Sequence, residues 1–119
     1  MTPTAARLVT AAWAAREVVS VRRQLPRRRL QDVVVRPAPY AGRCRRTVMF
    51  VLRATGSTCL PRALLLQRCS LDAGRRVDLV VGVRRKDGAV MAHAWLEPGD
   101  SDPGFTELHR LRPGGPAGA

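Results

Sequence analysis

Lysine, acidic residues and aromatic rings are all scarce in this chain: one lysine, nine acids and five aromatics in 119 residues. Five rings, none interleaved with the arginine runs, provide no platform on which bases could stack, which argues against a nucleic-acid binder. The three cysteines, Cys44, Cys59 and Cys69, are odd in number and lack paired spacing, so a secreted disulfide framework is excluded and a reducing cytoplasm is expected. No apolar run approaches the roughly 18 residues of a membrane helix. Residues 8–15 make a poor signal peptide because Arg16 and Glu17 follow at once. With no Gly-rich phosphate loop a nucleotide requirement is not legible in the sequence, and with no paired metal-ligand spacing neither a metal nor another cofactor is expected.

Arginine, by contrast, is abundant. Twenty arginines give nearly all of a net charge of +12. They are uneven: residues 1–58 carry twelve arginines against Glu17 and Asp32, whereas residues 59–119 are close to balanced. Such a field attracts acidic peptides or polyanions, although an Arg-for-Lys, Ala-rich composition is also what a GC-rich genome writes. The arginines at 22, 23 and 27–29 are read either as a solvated face or as a surface for an acidic peptide or partner. The length suits a single domain with one core.

The spacing of Leu8, Ala12, Ala15 and Val19 predicts an amphipathic helix from Thr4 to about Arg23 with those residues inward. Pro26 and the Arg27-Arg28-Arg29 triplet end it, and an extended basic connector with Pro37 and Pro39 leads to a turn at residues 40–42. A second helix is predicted from Arg43 to about Ala54, with Val48, Val51 and Leu52 inward and Gly56 as its stop. Thr58 is placed to cap a third helix starting at Cys59, with Pro61 in the first turn. Val77 to Val83 then reads as a buried strand, Lys86-Asp87-Gly88 as a turn, and Val90 to Glu97 as the returning strand. Phe105 to Leu108 reads as a short last strand. The chain therefore divides into an N-terminal helix and basic connector (1–42), a core (43–112) and a Gly/Pro-rich disordered tail (113–119). The fold class is α+β, helices first and a small antiparallel sheet after them.

A thiol at a helix N-terminus faces backbone N–H groups without intrahelical partners, and the positive end of the helix dipole favours the charged sulfur. The same N–H groups can receive an oxyanion. Cys59 is thus the candidate nucleophile, and His93, on a later strand, its candidate base. Cys69 reads as buried packing; Cys44, among arginines, has no base beside it. Trp95 reads as core or as a wall of the site, and His109 as surface.

The stretches Ser57-Thr58-Cys59-Leu60-Pro61-Arg62-Ala63-Leu64-Leu65-Leu66, Val80-Val81-Gly82-Val83-Arg84 and Ala92-His93-Ala94-Trp95-Leu96-Glu97, in that order and spacing, resemble the leader peptidase of lasso-peptide biosynthesis. The resemblance runs from about residue 44 to 112, and Phe105-Thr106-Glu107-Leu108 is similar to that family's closing strand. It implies a transglutaminase-like, papain-like fold and a cysteine peptidase that removes the leader from a lasso precursor, so that a separate cyclase can close the core peptide. It further implies the split type, whose leader-recognition protein is a separate partner. Nucleic acid and a membrane span are not expected among its contacts.

The same resemblance implies an acid after His93 as third member. A tight turn at Pro98-Gly99 would pair Glu97 with Asp100 and bring Asp102 opposite Trp95, on the face of His93. Asp102 is therefore the first choice, with Asp100 and Glu107 behind it. Glu97, four residues along one strand from His93, is too far to orient it. Two rival readings stay open: an idle transglutaminase-like scaffold that holds precursor and cyclase together, and an Arg-rich nucleic-acid binder with no need of Cys59.

Overall fold

In the computed structural model, which describes residues 2–40, 45–99 and 104–113, three α-helices precede a three-stranded antiparallel sheet. Helix α1 spans Pro3–Gln24. Its start is set by Thr2, whose hydroxyl accepts from the Ala5 N–H at 3.1 Å, and by Pro3 in the first turn.

The inward face of α1 differs from the one its spacing predicts. Ala14, Val18 and Val21 are fully buried, whereas Leu8 and Val19 are 67% and 48% exposed. Alanine and valine occur all round this helix, so apolar spacing alone does not select a face. Polar fit selects it: the buried Glu17 carboxylate accepts from the Arg36 N–H at 2.7 Å, a charge-assisted bond possible only with that side turned inward.

The connector after α1 holds a single turn of 3-10 helix, Leu30–Asp32, and then runs without regular structure. Side chains satisfy its backbone in place of a ladder. The Gln24 amide donates to the Val34 carbonyl and accepts from its N–H, both at 2.8 Å, and Asp72 accepts from Ala38 N–H at 2.6 Å. Val33 and Val35 are thereby turned into the core.

Helix α2, Arg45–Ala54, buries Val48, Val51 and Leu52 as their spacing predicts, and Gly56, with φ +63°, takes the left-handed conformation that ends it. Helix α3, Cys59–Asp72, follows Thr58, which stands extended at the N-cap position but makes no side-chain cap bond, contrary to expectation; the helix is the central rod. Pro61, Ala63, Leu64, Leu65, Leu66 and Cys69 are all buried, so most of its circumference is enclosed. One cluster joins α1, the connector, α2, α3 and one face of the sheet.

Strands β1 (Asp78–Lys86) and β2 (Ala89–Glu97) form the hairpin expected from Lys86-Asp87-Gly88. Asp87 and Gly88 both have positive φ, as a tight hairpin turn requires. Leu79, Ala94 and Leu96 face the helices; Val80 and Trp95 are buried outside that cluster, on the opposite face.

Strand β3, Thr106–Leu111, is not where a tight turn at Pro98-Gly99 would put it. The order is β2-β1-β3, so β3 pairs with β1, with an irregularity between Val81 and Gly82. Val80 lies between Trp95 and Arg110 in register. β2 and β3 therefore run parallel on either side of β1. Asp100, Asp102, Cys44 and 114–119 of the tail lie outside the described residues. Among the described residues no helix is long and apolar enough to cross a membrane.

Candidate active site

Cys59 is the first residue of α3, half-buried, where the N–H groups of the first turn have no intrahelical acceptor. A cavity of about 260 Å³ opens beside it, lined by Cys59, His93, Arg45, Met49 and Arg62 among others. The consecutive residues His93, Ala94, Trp95 and Leu96 all border this cavity. Because successive strand residues point to opposite faces, four in a row line one cavity only along the strand's edge. The cavity thus runs between the start of α3 and the edge of β2 away from β1, which no strand covers among the described residues.

His93 is half-buried and held by rings. Trp95 stacks beside it at 5.8 Å between centroids and 25° between planes, and Phe105, just before β3, tilts against it at 5.4 Å. Trp95 is fixed in turn: its indole N–H donates to Glu97 at 2.7 Å, and its six-membered ring lies over Gly82. A Cβ at Gly82 would stand 2.7 Å from Trp95 Cη2 and 2.9 Å from the Thr106 carbonyl oxygen. That is the reason for a glycine inside a valine-rich strand.

Behind Trp95, Arg110 gathers three carboxylates, Glu107 at 2.7 Å, Glu97 at 2.8 Å and Asp78 at 2.9 Å. The Trp95 indole N–H, followed by Arg110, holds the Glu97 carboxyl below its ordinary range. Its folded-state value being depressed, this contact adds stability above the ordinary carboxylate range and loses it as pH falls through the lowered value. Glu107, one of the three acids weighed as third member, thus gives its carboxylate to Arg110. Among the described residues no carboxylate bonds to His93.

Sequence reasoning missed the Phe105 contact, the Arg110 hub and the arginines beside the cavity. Only Gly82 carried a local signal, a glycine where the strand pattern asks for a side chain. His109 is exposed on β3, separated from His93 by β1. Among the described residues no three His, Cys, Asp or Glu side chains gather as a metal site.

Cys69 is buried among helices, and desolvation, reinforced by Asp72, pushes its thiol up to about 11. Two units above the ordinary thiol leave about a hundredfold less thiolate at neutral pH. Iodoacetamide on the folded protein at pH 7.5 is therefore expected to modify Cys59 and spare Cys69, with both labelled in urea. Peptide mapping checks this, and native labelling of Cys69 at the rate of Cys59 contradicts it.

A thiol at the head of a buried helix, with a histidine on the edge strand of the antiparallel sheet packed on that helix, places this domain among α+β folds built around a helix-borne cysteine. Residues 3–107 match the Transglutaminase-like superfamily, and the chain belongs to it. That superfamily includes cysteine peptidases. No curated protein and no solved structure matches the chain.

Proposed function

We propose that the chain is a cysteine peptidase that removes the leader from a lasso-peptide precursor. The observation that carries this reading is the cavity shared by Cys59 and His93 at the N-terminus of α3. His93 takes the proton from Cys59 Sγ, and the sulfur attacks the carbonyl carbon of the last leader residue. The oxyanion is received by the Cys59 N–H at the helix start. The imidazolium gives its proton to the departing amine as the C–N bond breaks, leaving the leader as a thioester on Cys59. Water, losing a proton to His93, attacks the thioester carbonyl; the thiol leaves with that proton, and the leader ends in a carboxylic acid.

Asp102 remains the proposed third member and Asp100 its alternative; Glu107, engaged by Arg110, would first have to leave that guanidinium. The aromatic pair Trp95 and Phe105 supports the orientation of the ring from its sides. A separate leader-recognition protein and the lasso cyclase are the proposed partners, and the cytoplasm the proposed location. The scaffold reading, a fold that holds precursor and cyclase without cutting, is favoured by one observation, the lack of a carboxylate on His93 among the described residues.

The mechanism predicts a trapped intermediate. Protein, precursor and leader-recognition partner are mixed, quenched in acid at short times and weighed intact. An adduct of the leader's mass less water is expected on Cys59, removable by hydroxylamine. Leader released with no thiol-linked adduct, and unaffected by thiol alkylation, sinks the proposal.

A further inference from the structure

A second cavity, of about 530 Å³, continues from the first. Arg45 and Leu96 line both. Its remaining walls include Arg75, Arg76, Ser70 and Val77, and Pro98-Gly99 closes one side. Three arginines thus surround a recess whose floor, Ser70 and Leu96, is buried.

None of these arginines has an ion-pair partner among the described residues. The described acids nearest in the fold are committed elsewhere: Asp72 to Arg68, Asp78 and Glu97 to Arg110. Like charges around one recess repel, and a carboxylate between them relieves that repulsion and gains charge-assisted hydrogen bonds.

The position of the recess says what carries the carboxylate. The first cavity borders β2 from His93 to Leu96 and the second takes over at Leu96 and the end of the strand, and among the described residues no strand pairs with the outer edge of β2. An extended peptide added at such an edge passes from one cavity into the other. From Cys59 to Ser70, α3 is about 17 Å long at 1.5 Å per residue, which matches about five residues of extended peptide at roughly 3.3 Å each.

We propose that the Arg45, Arg75 and Arg76 recess is a subsite for an acidic side chain of the substrate peptide, about five residues from the bond cut at Cys59. The inference rests on the peptidase reading for the words "substrate" and "cut"; the anion site itself does not.

The test uses the full chain carrying Cys59→Ala, so that peptide binds without turnover. Its probes are fluorescein-labelled Ser/Thr/Val peptides with one Glu, one Gln or one Lys, read by fluorescence anisotropy. The Glu peptide is expected to bind about fivefold more tightly than the Gln peptide, the effect of about one partly screened charge pair. Arg75→Gln with Arg76→Gln removes the preference, Arg75→Glu with Arg76→Glu turns it toward the Lys peptide, and Arg27→Gln with Arg29→Gln, on the connector, leaves it unchanged.

Equal binding of Glu and Gln peptides, or a preference that survives at 75 and 76, overturns the proposal. So does a duplex DNA that binds more tightly than the Glu peptide and is lost in the same variant, since the arginines would then form a general polyanion surface. In a second arm the wild type meets the precursor with each acid changed singly to its amide. Cys59-dependent release indifferent to every change removes the subsite and leaves the peptidase standing. No release, with the Glu preference intact, removes the peptidase and leaves the anion site.

Discussion

Cys59→Ala is expected to lower leader release by at least about ten-thousandfold, the loss that follows when the nucleophile of an acyl-enzyme mechanism is removed. The exchange is structurally mild. Cys59 is half-buried at the first position of α3, alanine is the strongest helix former, and the change removes one sulfur atom. Melting temperature and precursor binding should therefore stay close to the parent. His93→Ala should cost about a hundredfold to ten-thousandfold, the usual worth of a positioned base. The double variant should fall no further than Cys59→Ala alone, because the two act as one unit. Mass spectrometry of released leader measures all three. A scaffold predicts equal maturation in parent and variant, so undiminished release from Cys59→Ala removes the nucleophile from the account.

Gly82→Ala is expected to disturb the site from across the sheet. The added methyl meets the Trp95 ring and the Thr106 carbonyl at once, at 2.7 and 2.9 Å. The carbonyl belongs to the strand paired with β1, and the indole is tied to Glu97, so neither yields without breaking a bond. Overpacking of this kind costs about 1 to 3 kcal/mol. If the ring is what gives, its stacking partner His93 moves with it, and a misplacement of about 1 Å can slow release by about a hundredfold. Gly74→Ala is the control. Gly74, unlike Gly82, has positive φ, at +83°, and an added Cβ there meets nothing within 4 Å, so it shows the cost of backbone strain alone, against the collision alone at Gly82. Denaturant melts and release assays on both variants decide the point; a Gly82→Ala protein as stable and active as the parent contradicts the packing argument.

What could be read from sequence was local. The hairpin was legible because Asp87-Gly88 supplies two residues that accept positive φ between valine-rich runs. The start of α3 was legible because Thr58, Cys59 and Pro61 occupy positions with distinct backbone demands, and the face of α2 because Val48, Val51 and Leu52 share the three- and four-residue spacing of one helix face. The face of α1 was not, since an Ala/Val-rich helix has no clear polar side and the deciding contact, Glu17 with Arg36, spans 19 residues. The place of β3 was also hidden. A turn signal at Pro98-Gly99 fixes where β2 stops and carries no information about which edge the next strand joins. The support of His93 by Phe105 follows from that place of β3 beside β1 and was hidden with it.

Between α1 and α2, the connector is held by Val33 and Val35 in the core and by hydrogen bonds to its main chain. Glu17, Gln24 and Asp72 reach it from helices and bind peptide groups at Arg36, Val34 and Ala38. Outward-facing Arg27 and Arg29 take no part in these bonds, and Arg28 adds only a long contact to Gln24 Oε1, at 3.4 Å. Its path can accordingly persist through generations of substitution while the arginine content drifts. Among related chains, the anchoring side chains in α1 and α3 should be the steadier record of common descent, and the basic triplet the poorer one.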